Sequence, residues 1–168
     1  CDSLTSVTIP DSVTTIGEAA FCVCTSLTSV TIGNGVTTIG NGAFKDCKSL
    51  KEFKGKFAAV GGRCLIVDGV LNAFALGCGA TQYTIPDSVT TIGEGAFYGC
   101  SSLTSVTIGK SVSEIGKEAF KGCNIDTIAC CPKIPPKIDD SFGKFENLIV
   151  PTGCEEAYAN SDWGQYLE

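Results

Sequence analysis

A 23-residue repeat is the feature that most restricts how this chain folds. Residues 8–33 and 84–109 are identical at 22 of 26 positions, which excludes a chance match. Each unit reads Cys-x-x-Leu-x-x-Val-x-Ile, then Val-x-x-Ile-Gly, then Ala-Phe. A unit this short cannot bury its own apolar side chains, so repeats of this kind stack into a solenoid in which each coil covers its neighbours.

The spacing of apolar residues within a unit predicts its local structure. Val7-x-Ile9 alternates with period two, which is typical of a short strand with one face inward. A turn at residues 10–12 leads to a second extended piece, and Gly17 then starts a brief helical turn that carries Ala20 and Phe21 into the core. The chain is therefore predicted to be a repeat solenoid. We expect a right-handed, leucine-rich-repeat-like stack of short parallel β-strands with short helical turns, and one interior column holding Leu4, Leu27 and Leu103.

The repeat also predicts how a single domain, 1–168, is divided. Residues 1–47 and 79–123 are regular, whereas the repeat at 48–78 is eight residues longer than the period. Asp68-Gly69 lies between two apolar runs, which indicates a β-hairpin near 63–74, either projecting from the solenoid or spliced into it.

The C-terminal part, 124–168, departs from the repeat and is predicted to cap the open end. Residues 148–151 form a candidate last strand, and residues 155–167 a short helix whose apolar face holds Ala157, Tyr158 and Trp163. Cys1 already lies in repeat register, so we expect further repeats or a leader upstream in the full gene product.

Charge and composition restrict the classes of function. A net charge of −6 argues against nucleic-acid binding and against docking to anionic lipid, because both need a surplus of Lys and Arg. The chain has no His, the commonest general base and metal ligand. No apolar run is long enough to span a membrane. We therefore predict no catalytic residue, no cofactor, no metal and no membrane insertion within this chain.

Eleven cysteines raise the question of disulfide or metal sites. Cys22-x-Cys24 has no second pair to complete a zinc site, and a disulfide from Cys154 to Cys130 or Cys131 stays open as an alternative. For the cysteines that follow the repeat, the simplest role is a ladder of small buried side chains before each strand. This structural ladder comprises Cys1, Cys24, Cys47, Cys78, Cys100 and Cys123.

The complete motif, Leu-x-x-Val-x-Ile-Pro-x-x-Val-x-x-Ile-Gly-x-x-Ala-Phe-x-x-Cys, resembles the BspA-like leucine-rich repeat of gut-bacterial proteins over essentially the whole chain. The resemblance implies a secreted or surface-anchored protein, and some members of that family are adhesins. It carries over no catalytic residue. The Asn that usually follows the leucine-rich core is replaced by Ser12, Gly35 or Ser111, so the regular horseshoe curvature is not expected.

One stretch breaks the regular Thr and Ser pattern. Six of the twelve basic residues fall within residues 45–63 of an acidic chain. The hairpin beside this stretch could add contacts from Leu65, Val67 and Phe74 if they are not packed into the core. The candidate partner-binding residues are Lys51, Glu52, Lys54, Lys56 and Arg63.

We therefore expect a non-catalytic, extracellular or cell-surface module, monomeric, that binds a protein or glycoprotein. The alternative is a structural spacer with no ligand of its own. Two other functions of the surface, ice binding and O-glycosylation, are further alternatives. Rows of Thr could order water as ice-binding proteins do, and Asp-Ser or Asp-Thr pairs such as Asp11-Ser12 and Asp87-Ser88 resemble an O-glycan acceptor of some surface bacteria.

Overall fold

A computed structural model describes residues 1–167 and shows that the protein is a stack of coils. The first strand of each coil joins one wall of parallel strands, which is split into sheets of three and four strands. The three-stranded sheet consists of β1 (Ser6–Thr8), β3 (Ser29–Ile32) and β5 (Glu52–Gly55). The four-stranded sheet consists of β8 (Gln82–Thr84), β10 (Ser105–Ile108), β12 (Thr127–Cys130) and β14 (Asn147–Ile149).

The second extended piece of each coil forms the other wall. This wall is split before the enlarged coil, between β4 and β6, whereas the first wall is split after it, between β5 and β8. β2 (Thr15–Ile16) pairs with β4 (Thr38–Ile39). The larger sheet consists of β6 (Cys64–Val67), β7 (Val70–Phe74), β9 (Thr91–Ile92), β11 (Glu114–Ile115) and β13 (Lys137–Ile138). The predicted repeat solenoid of parallel strands is therefore confirmed, and so is the hairpin, which is β6 and β7.

The hairpin is spliced into the solenoid and does not project from it. β7 pairs in parallel with β9, so it takes the place of a coil's second strand. Leu65 and Phe74 are at most 1% exposed and Val67 is 9% exposed. These apolar side chains are therefore part of the core and offer no contact to a partner.

The repeat's apolar positions build two adjoining core clusters, one on each side of the split. Leu27 and Leu103 are fully buried, whereas Leu4 is only partly buried against the same cluster as Leu27. In the first coil Ala20 is exposed and Phe21 half-buried, unlike their buried counterparts Ala43 and Phe44 in the second coil. Among the described residues, the second coil alone pairs with the first coil, which accounts for these differences in this structure.

Between the second strand of one coil and the first strand of the next, the structure has linked turns where brief helices were predicted. Ala19, Gly42, Gly95 and Glu118 occupy one slot of the repeat, and each has a φ between +52° and +62°. A left-handed residue at this point prevents the chain from continuing as a right-handed helix.

The C-terminal cap contains one short helix, α1 (Glu155–Ala159), and a 3₁₀ turn at Asp162–Tyr166. Tyr158 and Trp163 are fully buried and donate hydrogen bonds to the carbonyls of Pro132 (2.7 Å) and Pro136 (2.8 Å). Ala157 is exposed, so its predicted place in the buried face was wrong. The predicted last strand is present as β14.

The close stacking of coils gives a stability prediction at the glycine that follows each second strand. A Cβ on Gly116 would lie 2.8 Å from the backbone nitrogen of Glu94 in the preceding coil, whereas a Cβ on Gly17 would meet nothing within 4 Å. We expect Gly116→Ala to lower the free energy of unfolding by about 1–3 kcal/mol, because the two backbones must separate. Gly17→Ala is the matched control, with an expected change within about 0.5 kcal/mol. Urea unfolding of both variants measures the difference, and equal stabilities would contradict backbone contact between coils.

Candidate interaction surface

The sequence-predicted binding residues lie on the enlarged coil, next to the gaps that divide each wall into two sheets. On β1, β3 and β10 the outward positions hold Ser and Thr, as in Ser29 and Thr31 of β3. On β5 these positions hold Glu52 and Lys54, on either side of the buried Phe53. We call Lys51, Glu52, Lys54, Lys56 and Arg63 the β5 surface.

Glu52 and Lys54 form an ion pair on this surface. Lys54 Nζ lies 2.9 Å from Glu52 Oε1, and both side chains are about half exposed. An exposed pair of this kind contributes at most about 1 kcal/mol to stability. The two charges therefore remain available to a partner, and their removal is not expected to unfold the coil.

Lys56 has a structural role that the sequence did not reveal. Its Nζ donates hydrogen bonds to the carbonyl oxygens of Asn34 (3.0 Å) and Val36 (2.6 Å) in the preceding coil. The same ammonium lies 4.9 Å from the centre of the Phe57 ring. Lys56 therefore ties the enlarged coil to its neighbour, and much of its hydrogen-bonding capacity is used within the protein.

A tight turn brings Arg63 to the β5 surface. Gly62 has a φ of +67°, and a Cβ at this position would lie 2.5 Å from the Phe53 carbonyl oxygen. The segment 60–62 thus packs against β5 where the next strand of the wall would otherwise pair. Burial raises the pKa of Tyr83 on β8, and the neighbouring Arg63 guanidinium opposes part of that shift. Arg63 follows the segment 60–62 directly and is exposed.

Lys45 belongs to a different face. Its Nζ lies 2.6 Å from Glu118 Oε2 and 4.1 Å from the centre of the Tyr98 ring. Lys121 extends the network, 3.3 Å from Glu118 and 3.1 Å from Asp140. The hydrogen bond to Glu118 raises the pKa of Lys45, and the hydrogen bonds from Lys45 and Lys121 lower the pKa of Glu118. This network bridges coils that the enlarged coil separates in sequence.

Part of the Thr and Ser pattern holds neighbouring coils together. The hydroxyls of Thr28, Thr37 and Thr104 donate to backbone carbonyls one repeat earlier, at 2.9 Å, 3.2 Å and 3.1 Å. Because these hydroxyls are hydrogen-bonded to the preceding coil, they help to fix the register between neighbouring coils. The outward Thr row on the first strands is interrupted at Lys54.

In two of the candidate glycan-acceptor pairs, the Asp side chain likewise contacts a residue of the neighbouring coil. Asp11 accepts a hydrogen bond from the backbone nitrogen of Asn34 (2.7 Å), and Asp87 pairs with Lys110 (2.9 Å). Ser12 and Ser88 are exposed. These contacts give the Asp residues a role in joining coils that is independent of any modification.

All eleven cysteines are free thiols, so the alternative of a disulfide from Cys154 is not realised in the structure. Within the ladder, Cys24, Cys47 and Cys100 are buried, Cys78 and Cys123 are half-buried, and Cys1 is exposed. The thiols of Cys47 and Cys123 donate to the carbonyls of Phe21 and Phe97, both at 3.0 Å. Burial raises the pKa of each of these two thiols to about 12.

No group of three or more His, Cys, Asp or Glu side chains is placed to hold a metal ion within residues 1–167. Within the same residues, no helix has both the length and the apolar character needed to cross a membrane.

The sequence of the repeats matches a known family model, described as the BspA-type leucine-rich repeat region, in six copies over residues 1–59 and 71–160. The chain belongs to the BspA-type leucine-rich repeat family. The unmatched residues 60–70 contain the turn at Gly62, Arg63 and most of the hairpin, so the BspA-type pattern is interrupted where the walls split.

Two solved structures with TM-scores above 0.5 show the same fold, and a third has a lower score. A leucine-rich repeat protein of T. pallidum is 19% identical, with a TM-score of 0.53, and the match covers 95% of this chain and 86% of that one. The pneumococcal vaccine antigen PcpA is 14% identical, with a TM-score of 0.54 and coverage of 93% and 65%. A leucine-rich cell surface protein of Faecalibacterium prausnitzii is 20% identical, with a TM-score of 0.41 and coverage of 97% and 64%. This chain therefore spans about two thirds of the last two proteins, and no curated protein matches it.

Proposed function

We propose that this BspA-type array is a non-catalytic interaction module of an extracellular or cell-surface protein, and that it binds an acidic protein or glycoprotein through the β5 surface. The observation that carries the proposal is the replacement of the outward Ser and Thr by Lys51, Glu52 and Lys54 where both walls are split. β5 carries charged side chains at both outward positions, whereas the outward positions of β1, β3, β8, β10, β12 and β14 carry none.

The exposed charge supports an acidic partner. Among the described residues, Lys51 and Arg63 form no ion pair, and Lys54 has only the exposed Glu52 as a partner. The surrounding coil is held rigidly by Lys56 and by the turn at Gly62, so little conformational entropy is lost on binding. Charge complementarity of this kind raises association rates and gives specificity.

The test is binding to a sialylated mucin, measured by biolayer interferometry. We expect Lys51→Glu/Lys54→Glu to weaken binding at least about tenfold at low salt, because two attractive charges become repulsive. Lys117→Glu/Lys133→Glu is the matched control, since both lysines are exposed, lie outside the β5 surface and give the same change in net charge. Desialylated mucin should bind more weakly to the unmodified protein.

Either of two results would overturn the proposal. One is the absence of binding by the unmodified protein to the mucin and to acidic matrix glycoproteins. The other is an equal loss of binding in both double variants, which would indicate a nonspecific effect of net charge. Thermal unfolding of each variant shows that the coils remain folded.

The alternative function is a structural spacer. The inter-coil hydrogen bonds of Thr28, Thr37 and Thr104 favour it, since they indicate a regular stiff rod. In the intact surface protein, deletion of this array with unchanged ligand capture would favour the spacer over the interaction module.

A further inference from the structure

The last strand of the first wall has one free edge. β14 is the terminal strand of its sheet and pairs only with β12, where the Asn147 N–H donates to the Asp126 carbonyl at 2.9 Å. Successive residues of a parallel strand direct their backbone groups to opposite edges. The N–H and C=O of Leu148 therefore point away from β12, toward the free edge.

The outward side chain of this strand also departs from the repeat. Ile149 is paired with Ala129 and occupies the slot that holds Thr8, Thr31, Thr84 and Thr107 in other coils. It is 57% exposed. Natural edge strands are usually protected by Lys, Pro or a covering segment, and residues 147–149 contain neither Lys nor Pro.

A groove runs beside this edge. It has a volume of about 710 Å³ and lies between β14 with its preceding loop and the end of the cap. Phe145, Leu148, Tyr166 and Leu167 provide its apolar lining, and each of them is half-buried. The groove thus combines outward-directed backbone groups with apolar side chains on both sides.

We propose that the β14 edge and this groove bind an extended peptide segment of another protein, which adds to the sheet as a further strand. The unpaired N–H and C=O of Leu148 identify the occupant as a peptide backbone, because only an extended chain offers a donor and an acceptor in matching register. Alternate apolar side chains of the peptide contact Ile149 and enter the groove. This site is separate from the β5 surface, so a negative result for one proposal does not contradict the other.

The test begins with a phage-displayed dodecapeptide library selected on the unmodified protein. We expect enriched peptides to have apolar residues at alternate positions. Ile149→Thr, which restores the residue of the regular repeat, should weaken their binding about tenfold through the loss of apolar contact. Ile134→Thr is the matched control, because Ile134 is 82% exposed and lies outside the groove.

Hydrogen exchange of the Leu148 amide gives a readout that a purely structural role of Ile149 would not change. This amide faces the free edge and is expected to exchange rapidly in the free protein, then at least about tenfold more slowly with an enriched peptide bound. Three results would overturn the proposal: no enriched peptide, equal weakening by Ile149→Thr and Ile134→Thr, or an unprotected Leu148 amide in the complex. Protection that rises with protein concentration alone would also overturn it, because the occupant would then be a second copy.

Discussion

Phe97→Ala is expected to lower the free energy of unfolding by about 3–5 kcal/mol, the usual cost of emptying a fully buried aromatic site. Phe97 is fully buried and stacks between Phe74 and Phe120, with ring centroids 4.6 Å and 4.7 Å away. Phe142 continues the column beyond Phe120 at 5.2 Å. Because the coils around it cannot collapse without breaking their backbone pairing, the cavity should persist.

Phe21→Ala is the matched control for this prediction. Phe21 occupies the same slot of the repeat, but it is half-exposed and stacks on one neighbour only, Phe44, at 5.3 Å. We expect it to cost about 1–2 kcal/mol, because part of the ring is already in contact with water. Urea unfolding of both variants, with comparable m-values, measures the difference. If the two costs agree within about 0.5 kcal/mol, then stacking between coils is not what stabilises the array.

The stacked architecture was predictable because the 23-residue period puts the same apolar side chains on the same side of every coil. Alternation at Val7 and Ile9 predicted a strand, and Asp68-Gly69 predicted a hairpin. The repeat motif did not predict that Ala20, Phe21 and Cys1 are more exposed than their equivalents in this structure, where the second coil covers one side of the first.

The turns were harder to predict. Ala and Glu favour helices, yet Ala19 and Glu118 adopt positive φ values of 52° and 54°. Their backbone N–H groups donate to Asn41 and Asp140 in the next coil, at 3.0 Å and 3.1 Å. Pairing between coils thus overrides the local helical preference, and a single coil read in isolation gives no sign of it.

The candidate site was only partly predictable. Charge patterning located Lys51, Glu52 and Lys54, but it also grouped Lys45 with them, which the structure places against Glu118. Residues 73 apart in sequence meet there because the enlarged coil carries no equivalent turn. The groove beside β14 has no local motif, since its walls come from a strand and a cap that only the fold brings together.

Alkaline pH is expected to destabilise the protein through its buried thiols. Cys47 is fully buried, and burial raises the pKa of its thiol from 9.0 to about 12. Below pH 9.0, both the folded and the unfolded chain keep this proton, so Cys47 has no effect on the pH dependence there. Above that pH the unfolded chain loses the proton while the folded chain retains it, so the stability falls as pH rises toward the folded value.

For one such thiol, the free energy of unfolding should fall by about 1.4 kcal/mol per pH unit across this window. Burial raises the pKa values of Cys123 and Cys130 to about 12, so they act in the same direction. Urea unfolding between pH 8 and 11, under reducing conditions, measures the slope. We expect Cys47→Ala to reduce the slope by about 1.4 kcal/mol per pH unit. Cys131→Ala removes an exposed thiol and is the control, and a slope unchanged by Cys47→Ala would show that this thiol ionises in the folded protein as it does in the unfolded chain.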